Sequence, residues 1–383
     1  MKIGIISAGD PLDVNTWSGT PYYMTRHLIS AYPNSVIIKS PRPSWSTFTR
    51  KALRKLTRGR VDLYWNQALS RWDANRSIKI LKTNRVDIAI CIGNAPISAC
   101  VGETLATIHV SDATVPLMRD YYQEFSRLPR SLLTSANEAD RRSVRNARAC
   151  LYPTSWAASS AIQHYGADPS RVHVIPWGGN LPSDVSPPVE PMIRSDTCHL
   201  VFIGVDWKRK GGDLAVATAR SLAAAGHPVK LHLIGSAPDL LSDKHVLVHG
   251  FINKSTQEGV ERLSSIMRQA SFLFVPTRQD CYGMVFSEAN SFGLPVITTR
   301  TGGVPGVVVE GVNGHLLSSE AGPDEYARLI WTVWSDPARY SRLRDSSWRR
   351  FSEVLNWGSW LEQAKKVIDQ IGSDGARGVA KVR

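Results

Sequence analysis

Short apolar runs recur along the chain and alternate with stretches of helical periodicity. The first run, Ile3–Ser7, is followed by a polar loop and then by a helical pattern through Met24, Leu28 and Ile29. A strand, a loop and a helix in this order are how a parallel α/β unit begins. Further strands are predicted at residues 36–39, 86–92, 105–109, 149–153 and 172–176. Their number and spacing predict a doubly wound parallel sheet.

A second series of strands and helices follows a proline-rich break in the chain. Residues 180–197 contain four prolines and no hydrophobic periodicity, which is typical of a linker. Beyond this break, strands are predicted at residues 200–203, 230–234, 246–249, 272–275 and 295–298, and helices at 213–225 and 256–269. The pattern therefore predicts two α/β domains of similar architecture, one on each side of the linker.

Composition is consistent with this division and narrows the class of protein. The 383 residues are 43% hydrophobic and 21% charged, which suits two globular domains. No run of about 18 apolar residues and no cleavable signal pattern is present, so we expect a cytoplasmic protein. The five cysteines are odd in number and widely separated, which predicts buried, reduced thiols rather than disulfides or paired zinc ligands.

Positive charge is concentrated near the N-terminus. The formal net charge is +13, and the first 100 residues carry 15 Lys and Arg against 5 Asp. Residues 42–60 contain seven basic residues and no acid, with Trp45, Phe48, Leu53 and Leu56 at near-helical spacing. This pattern is typical of a helix that binds an anionic membrane surface or phosphate, and equally of a solvated helix face. The charge also allows a nucleic-acid-binding protein, although no nucleic-acid motif accompanies it.

The densest cluster of candidate chemistry lies in residues 276–299. A strand is followed by a loop with Asp280 and Gly283, and then by a helix that is predicted to start near Val285. A glycine permits close backbone approach, and the free amides of Met284 and Val285 at a helix start suit an anion or a sugar hydroxyl. Glu288, about one turn into the helix, suits the two hydroxyls of a ribose.

This cluster resembles the E-x7-E region of the retaining glycosyltransferases of family 4. Three further segments match that family's motifs in the required order: 204–212 (GVDWKRKGG), 301–305 (TGGVP) and 309–316 (VEGVNGHL). A fourth match is the interdomain stretch 174–181, VIPWGGNL. The sequence departs from the family pattern at Asp280, where the family has Glu, and at Val205, where it commonly has Arg. Lys210 matches the family's diphosphate-binding lysine, with Arg209 or Lys208 in place of the missing arginine.

The N-terminal half carries fainter matches to the same family. Ser18 and Gly19 resemble its glycine-rich loop after the first strand, and His109 and Asp112 resemble polar residues at the end of a strand that line the interdomain cleft. A structural role for His109 and a helix-capping role for Asp112 are the alternatives. Glu138 and Asp140 are predicted to lie on a solvated helical start.

The resemblance implies a GT-B fold, in which two doubly wound Rossmann-like domains face an interdomain cleft. It assigns residues 1–180 to an acceptor-binding domain, 181–197 to the linker and 198–358 to a nucleotide-sugar-binding domain. Residues 359–372 are expected to form a helix that returns to the first domain, and 373–383 a disordered tail. The residues that the resemblance assigns to catalysis are His109, Asp112, Arg209, Lys210 and Asp280. Those assigned to donor binding are Ser18, Gly19, Gly204, Arg209, Lys210, Asp280, Tyr282, Gly283, Met284, Val285 and Glu288.

The activity that the resemblance implies is transfer of a sugar, a hexose, from a nucleotide diphosphate to an acceptor hydroxyl with retention of configuration. We expect no cofactor and no metal, because no apolar-flanked Asp-x-Asp is present to hold a divalent ion. The expected setting is synthesis of cell-surface polysaccharide or glycolipid at the cytoplasmic face of the inner membrane, with residues 42–60 as a peripheral contact. A sugar-nucleotide epimerase or a phosphorylase of the same fold is the alternative among enzymes.

Overall fold

The computed structural model describes residues 1–39, 44–57, 61, 63–181, 195–238 and 243–380. Contacts divide the chain into two units. Unit 1 comprises Met1–Pro176 together with Trp360–Arg383, and unit 2 comprises Trp177–Ser359. The first part of unit 1 therefore ends at residue 176, four residues before the predicted boundary at residue 180. Residues 177–180 belong to unit 2. Most of the predicted linker, residues 182–194, lies outside the described residues.

Unit 1 is built on a six-stranded parallel sheet. Its strands are β1 (Ile3–Ser7), β2 (Val36–Ile38), β3 (Ile88–Ile92), β4 (Ala106–Val110), β5 (Ala149–Tyr152) and β6 (Val172–Val174). They lie in the order β2-β1-β3-β4-β5-β6. All residues of β1, β3 and β5 are buried, as expected for strands covered by helices on both faces.

Nine helices of unit 1 fall within the described residues, eight before β6 and one at the C-terminal end. They are α1 (Thr20–Ala31), α2 (Ser44–Leu56), α3 (Gln67–Thr83), α4 (Ala95–Val101), α5 (Val115–Arg119), α6 (Gln123–Ser126), α7 (Arg130–Asn146), α8 (Ser155–Tyr165) and most of a helix, Trp357–Ala380, that begins in unit 2. Three short 3-10 helices span Thr16–Gly19, Leu63–Trp65 and Pro169–Arg171. The hydroxyl of Tyr32 donates to Asp369 Oδ1 at 2.7 Å, which ties the C-terminal helix to the start of unit 1.

Unit 2 repeats the architecture. Its strands are β7 (Cys198–Gly204), β8 (Val229–Gly235), β9 (Val246–Gly250), β10 (Phe272–Val275), β11 (Val296–Thr299) and β12 (Gly314–Leu317). Its helices are α9 (Trp207–Lys210), α10 (Gly212–Ala224), α11 (Gln257–Gln269), α12 (Met284–Asn290), α13 (Val304–Val307), α14 (Pro323–Trp334) and α15 (Pro337–Glu353), followed by α16 (Trp357–Ala380). The strand order β12-β11-β10-β7-β8-β9 is that of a dinucleotide-binding sheet, and it reverses between β7 and β10.

The predicted doubly wound α/β class is therefore confirmed, with two differences in detail. β12 was not predicted, because its four residues lie in a glycine-rich stretch that reads as a turn. Helix α16 continues to Ala380 and so includes most of the predicted tail, residues 373–383, whose disorder stays a prediction. Isolated glycines in this segment lower helix propensity without breaking a helix that has already been nucleated over four turns.

Two further features of the fold are the burial of the cysteines and the length and apolar character of the helices. All five cysteines are buried, as predicted. Among the helices that the structure describes, none combines the length and the apolar character needed to cross a bilayer.

Candidate functional site

The candidate site of unit 2 lies where the strand order reverses. In open α/β sheets, ligands bind outside the carboxyl ends of the strands at such a point. The loop after β7 carries Gly204 and the short helix α9, and the loop after β10 carries Asp280. A Cβ on Gly204 would lie 2.9 Å from Cγ of Lys210, so the lysine stem packs directly on the glycine backbone. The glycine thus makes room for the lysine.

Lys210 and Asp280 meet between these two loops. The ammonium of Lys210 contacts Oδ2 of Asp280, and both side chains are mostly buried, with 13% and 11% of their surface exposed. The two residues are 70 positions apart, so the contact is a product of the fold. The structure therefore brings together two of the residues that the sequence assigned to catalysis.

Arg209 holds the backbone of the Asp280 loop. Its guanidinium donates to the carbonyl of Gln279 at 2.9 Å, and its own carbonyl accepts from the amide of Arg278 at 2.8 Å. The hydroxyl of Thr277 also contacts the Arg209 and Gln279 carbonyls, at 3.2 and 3.1 Å. These bonds fasten α9 to the loop after β10. Lys208, the other candidate for the missing positive charge, is exposed.

Gly283 and Tyr282 shape the start of α12. Gly283 has a φ of +83°, and a Cβ there would lie 2.3 Å from the ring of Phe286. Tyr282 is buried, its hydroxyl donates to the carbonyl of Trp177 at 2.6 Å, and burial raises its pKa. Tyr282, which the sequence assigned to donor binding, therefore joins α12 to the 177–180 segment. The amides of Met284 and Val285 lie in the first turn of the helix, as predicted.

Glu288 is buried within α12 and has a cationic partner. Its Oε1 accepts from Nζ of Lys254 at 2.6 Å. The backbone of Gly179 passes directly against it, since a Cβ on Gly179 would lie 3.1 Å from the Glu288 amide nitrogen. Lys254 was missed in the sequence because it precedes Glu288 by 34 residues and belongs to none of the motifs.

The two glycine-rich turns support the same loops. The amide of Gly303 donates to the carbonyl of Asp280 at 3.1 Å, within the TGGVP segment. In the VEGVNGHL segment, Asn313 is fully buried and donates to Asn290 Oδ1 at 2.6 Å and to the Val307 carbonyl at 2.9 Å. One turn thus holds the Asp280 loop, and the other holds the end of α12.

In unit 1, the predicted loop after β1 has an unusual backbone. Trp17, Ser18 and Gly19 have φ values of 45°, 57° and 86°, so three consecutive residues are left-handed. For Trp17 and Ser18 this conformation is strained, and such strain often marks a functional segment. Gly93, at the end of β3, accommodates the Trp17 ring, because a Cβ would lie 2.6 Å from it. Ser18 and Gly19 thus lead into the first turn of α1.

His109 lies in the interior of unit 1. Only 1% of it is exposed, and neither ring nitrogen has a hydrogen-bond partner among the residues that the structure describes. Its Nε2 is 4.0 Å from Oδ1 of Asp140, and burial lowers the pKa of His109 to about 4. The structure therefore places His109 beneath the strand end, while Asp112 follows in the loop after β4.

Asp140 is buried rather than solvated, contrary to the sequence prediction. Its Oδ2 accepts from the Val115 amide at 2.8 Å and from the Tyr165 hydroxyl at 2.9 Å, and burial raises its pKa to about 6. Asp140 therefore binds the first amide of α5. Asp140 lies on α7, and one side of this helix faces the sheet. The charge-rich NEADRR segment gave no indication of this buried side. Glu138 pairs on the surface with Arg141.

The predicted basic segment is described from Ser44 to Thr57. Arg50 is buried and donates to Oδ2 of Asp73 at 3.0 Å, so it does not belong to a basic surface. Phe48 and Leu56 are 75% and 81% exposed, and Lys55 is also exposed. Because Phe48 and Arg50 are two positions apart on a helix, they point to opposite sides of α2. Residues 40–43 and 58–60 lie outside the described residues.

Within the described ranges, no group of three or more His, Cys, Asp or Glu side chains is arranged to hold a metal ion.

Two family models match this chain. The model "Glycosyltransferase Family 4" covers residues 21–181, and "Glycosyl transferases group 1" covers residues 197–336, so together they span about four fifths of the chain. The two parallel six-stranded sheets with their helices match the fold of solved GT-B glycosyltransferases. The chain therefore belongs to the glycosyltransferases of family 4.

Individual proteins agree with this assignment. A D-inositol 3-phosphate glycosyltransferase of Catenulispora acidiphila is 29% identical over 245 residues, which cover 59% of this chain and 57% of the relative. Anabaena HepE, solved with UDP, superposes with a TM-score of 0.66 at 14% identity over 97% of this chain and all of the other. WaaG, a glycosyltransferase involved in lipopolysaccharide biosynthesis, gives a TM-score of 0.64 at 15% identity, covering 96% and 99% of the two chains.

Proposed function

We propose that this chain is a retaining glycosyltransferase that moves a hexose from a nucleotide diphosphate to an acceptor hydroxyl. The observation that carries the proposal is the contact of Lys210 with Asp280 at the switch point of the unit 2 sheet. A cation and a carboxylate held together there suit the two ends of a sugar diphosphate, since the cation matches the phosphates and the carboxylate accepts from sugar hydroxyls.

The role of Lys210 is electrostatic. When the bond to the anomeric carbon breaks, negative charge grows on the leaving diphosphate. A mostly buried ammonium stabilises that charge where it develops. Arg209 has its guanidinium on the Gln279 carbonyl, so it acts in this proposal by fixing the loop that presents Asp280.

The remaining donor contacts follow from α12 and its neighbours. The amides of Met284 and Val285, the first two residues of the helix, are available to the diphosphate. Glu288 accepts from the ribose hydroxyls, and Gly204 keeps the strand end open beside Lys210. In unit 1, the family resemblance assigns Ser18 and Gly19 to donor binding and Asp112 to catalysis. His109 is too buried for direct contact in this structure, so we assign it to the support of the strand end.

We propose that no metal ion takes part. Lys210 supplies the positive charge that a divalent ion supplies in other sugar transfers, and the test is the insensitivity of donor binding and turnover to EDTA.

We also propose that α2 contacts an anionic membrane, which would place the acceptor among glycolipids or membrane-bound glycans. Phe48 and Leu56 are exposed apolar side chains on a helix rich in basic residues, a pattern of interfacial helices. On α3, Trp72 and Ile80 are 46% and 43% exposed, and the guanidinium of Arg76 lies 5.2 Å from the Trp72 ring centre. WaaG, which has a similar fold, is involved in lipopolysaccharide biosynthesis, and this is in keeping with such an acceptor.

The first experiment is a thermal-shift screen of UDP, GDP and ADP and of their hexose conjugates, with and without EDTA. A ligand that binds only the folded chain raises its melting temperature. We expect one base to stabilise the protein, with or without EDTA, and the hexose to be released from the nucleotide only when an acceptor is supplied. Epimerised sugar still attached to the nucleotide would indicate an epimerase, a requirement for free phosphate a phosphorylase, and no shift with any nucleotide would contradict the proposal.

A further inference from the structure

Lys254 is the side chain that engages Glu288. Its Nζ lies 2.6 Å from Oε1 of Glu288. The Glu288 side chain is 3% exposed, whereas that of Lys254 is 35% exposed. A buried carboxylate is stable only when it is paired. The pair thus has a buried anionic end and a cationic end that reaches solvent.

A tightly bonded turn fixes the position of Lys254. The side-chain oxygen of Asn253 accepts from the amide and the hydroxyl of Ser255, at 3.0 and 2.7 Å. Thr256 then caps α11 by accepting from the Gly259 amide at 3.2 Å. A Cβ on Gly259 would lie 1.9 Å from the Asn253 carbonyl oxygen, so helix and turn are in direct contact. Lys254 is therefore anchored at its backbone on both sides.

The pair presents complementary hydrogen-bonding groups. A carboxylate only accepts and an ammonium only donates, whereas a hydroxyl does both. One hydroxyl can therefore donate to Glu288 and accept from Lys254 without breaking the contact between them. Because the ion pair already balances its own charge, a neutral diol is a better match for it than another anion.

We propose that Lys254 and Glu288 together bind the ribose hydroxyls of the donor, and that Lys254 is a specificity-determining residue that selects ribose over deoxyribose. This inference rests on the proposed function, which places the ribose at Glu288. A hydroxyl that is missing from the ligand leaves a charged group without its partner, and such sites reject the deoxy analogue strongly.

The test is a comparison of ligands and variants by isothermal titration calorimetry. The ligands are UDP and GDP, each with its 2′-deoxy and 3′-deoxy forms. The variants are Lys254→Met, which keeps the length of the stem, Lys254→Arg, which keeps the charge, and Lys244→Met, which removes an exposed charge elsewhere in unit 2. Circular dichroism of each variant confirms that it is folded.

For the wild-type chain we expect a diphosphate with an intact ribose to bind at least about tenfold more tightly than one of its deoxy forms, since a hydrogen bond to a charged group is being removed. In Lys254→Met the intact form weakens about tenfold, and the difference between the intact and deoxy forms falls below about threefold. Lys254→Arg keeps part of that difference, and Lys244→Met keeps all of it.

The inference is overturned if Lys254→Met still distinguishes ribose from deoxyribose as the wild type does, or if it weakens intact and deoxy forms equally. In either case Lys254 only holds Glu288 in place. If the wild-type chain binds neither UDP nor GDP, the proposed donor pocket is contradicted as well. This result is distinct from nucleotide binding that does not depend on Lys254, which contradicts only the inference about Lys254.

Discussion

Lys210 and Asp280 contact each other although 70 residues separate them in the chain. The contact lies between the loops that follow β7 and β10, the two strands at which the strand order of unit 2 reverses. In the proposed function, a donor diphosphate that approaches Lys210 therefore meets an ammonium already oriented by a carboxylate.

Replacing Lys210 with Met should weaken binding of the nucleoside diphosphate by about tenfold or more, because a charge-assisted hydrogen bond to phosphate is lost. The measurement is the dissociation constant by calorimetry. Lys208→Met is the matched control, since Lys208 is an exposed lysine of the same short helix. Equal effects of the two substitutions would mean that Lys210 contributes only to the general positive charge of the loop.

Exposed apolar residues of α2 should matter for membrane binding. We expect the double substitution of Phe48 and Leu56 by Ser to reduce sedimentation with phosphatidylglycerol vesicles several-fold, because about 1.5–3 kcal/mol is available from burial of each large apolar side chain. The nucleotide affinity should not change. The control is Phe251→Ser in unit 2, which removes a side chain that is 72% exposed. A double variant that still sediments like the wild type contradicts the proposed membrane contact.

Arg50 and Lys55 are basic residues of one helix with different surroundings. Replacing Arg50 with Met should lower the free energy of unfolding by about 3 kcal/mol, since it leaves the buried Asp73 without its cation. Replacing Lys55, which is exposed, should change it by less than about 0.5 kcal/mol. Urea unfolding at pH 7 measures both. Similar values for the two variants would show that the Arg50 pair does not stabilise unit 1.

The pH dependence of stability should reveal the opposed titrations of Asp140 and His109. The pKa of Asp140 is raised to about 6, so the folded chain binds the proton more tightly and stability falls as pH rises from about 4 to 6. The pKa of His109 is lowered to about 4, so the unfolded chain binds its proton more tightly and stability rises as pH rises from about 4 to 6.5.

Because the two effects cancel in part, single variants should separate them. In Asp140→Asn the melting temperature should rise more steeply with pH between 4.5 and 6.5 than in the wild type. In His109→Gln it should rise less steeply, or fall. The comparison with the wild type removes the contribution of all other groups. Parallel curves for the three proteins would contradict this account of the buried pair.

Gly283 and Gly226 offer a matched test of the α12 start. Both have a left-handed φ, +83° and +79°, but only at Gly283 does an added Cβ meet another residue. We expect Gly226→Ala to cost about 1–2 kcal/mol for its backbone alone. Gly283→Ala should cost more, because the Phe286 ring must shift, and it should also weaken nucleotide binding. Equal losses of stability would mean that Phe286 moves without cost.

Local patterns in the sequence were sufficient for eleven of the twelve strands that the structure describes and for the order of the motifs. The runs at Ile3–Ser7 and Phe272–Val275 match β1 and β10 at both ends, because a buried parallel strand is an uninterrupted apolar segment. The glycines of the motif loops were also recognisable. The left-handed φ of Gly283 and the close packing on Gly204 show why no other residue fits there.

Contacts between distant charged residues could not be read from the sequence. Two such pairs are Lys254 with Glu288 and Arg50 with Asp73, whose members are 34 and 23 residues apart in the chain. Each pair depends on how two elements are oriented in three dimensions. Asp140 was misplaced for the same reason. Its charged neighbours suggested a solvated helix, whereas the side of α7 that faces the sheet buries it among Val115 and Tyr165.

The discontinuity of unit 1 has a consequence for synthesis on the ribosome. The stretch from Trp177 to Ser359 is made in one piece, so unit 2 has all of its residues before the rest of α16 emerges. Unit 1 begins first but must wait for Asp369 before Tyr32 can make its hydrogen bond. Although domains generally fold in the order in which they are translated, unit 2, which carries the proposed nucleotide site, is here the first whose residues are all synthesised. A chain that is cut shortly after Ser359 would therefore keep every residue of unit 2 and would lack the last helix of unit 1.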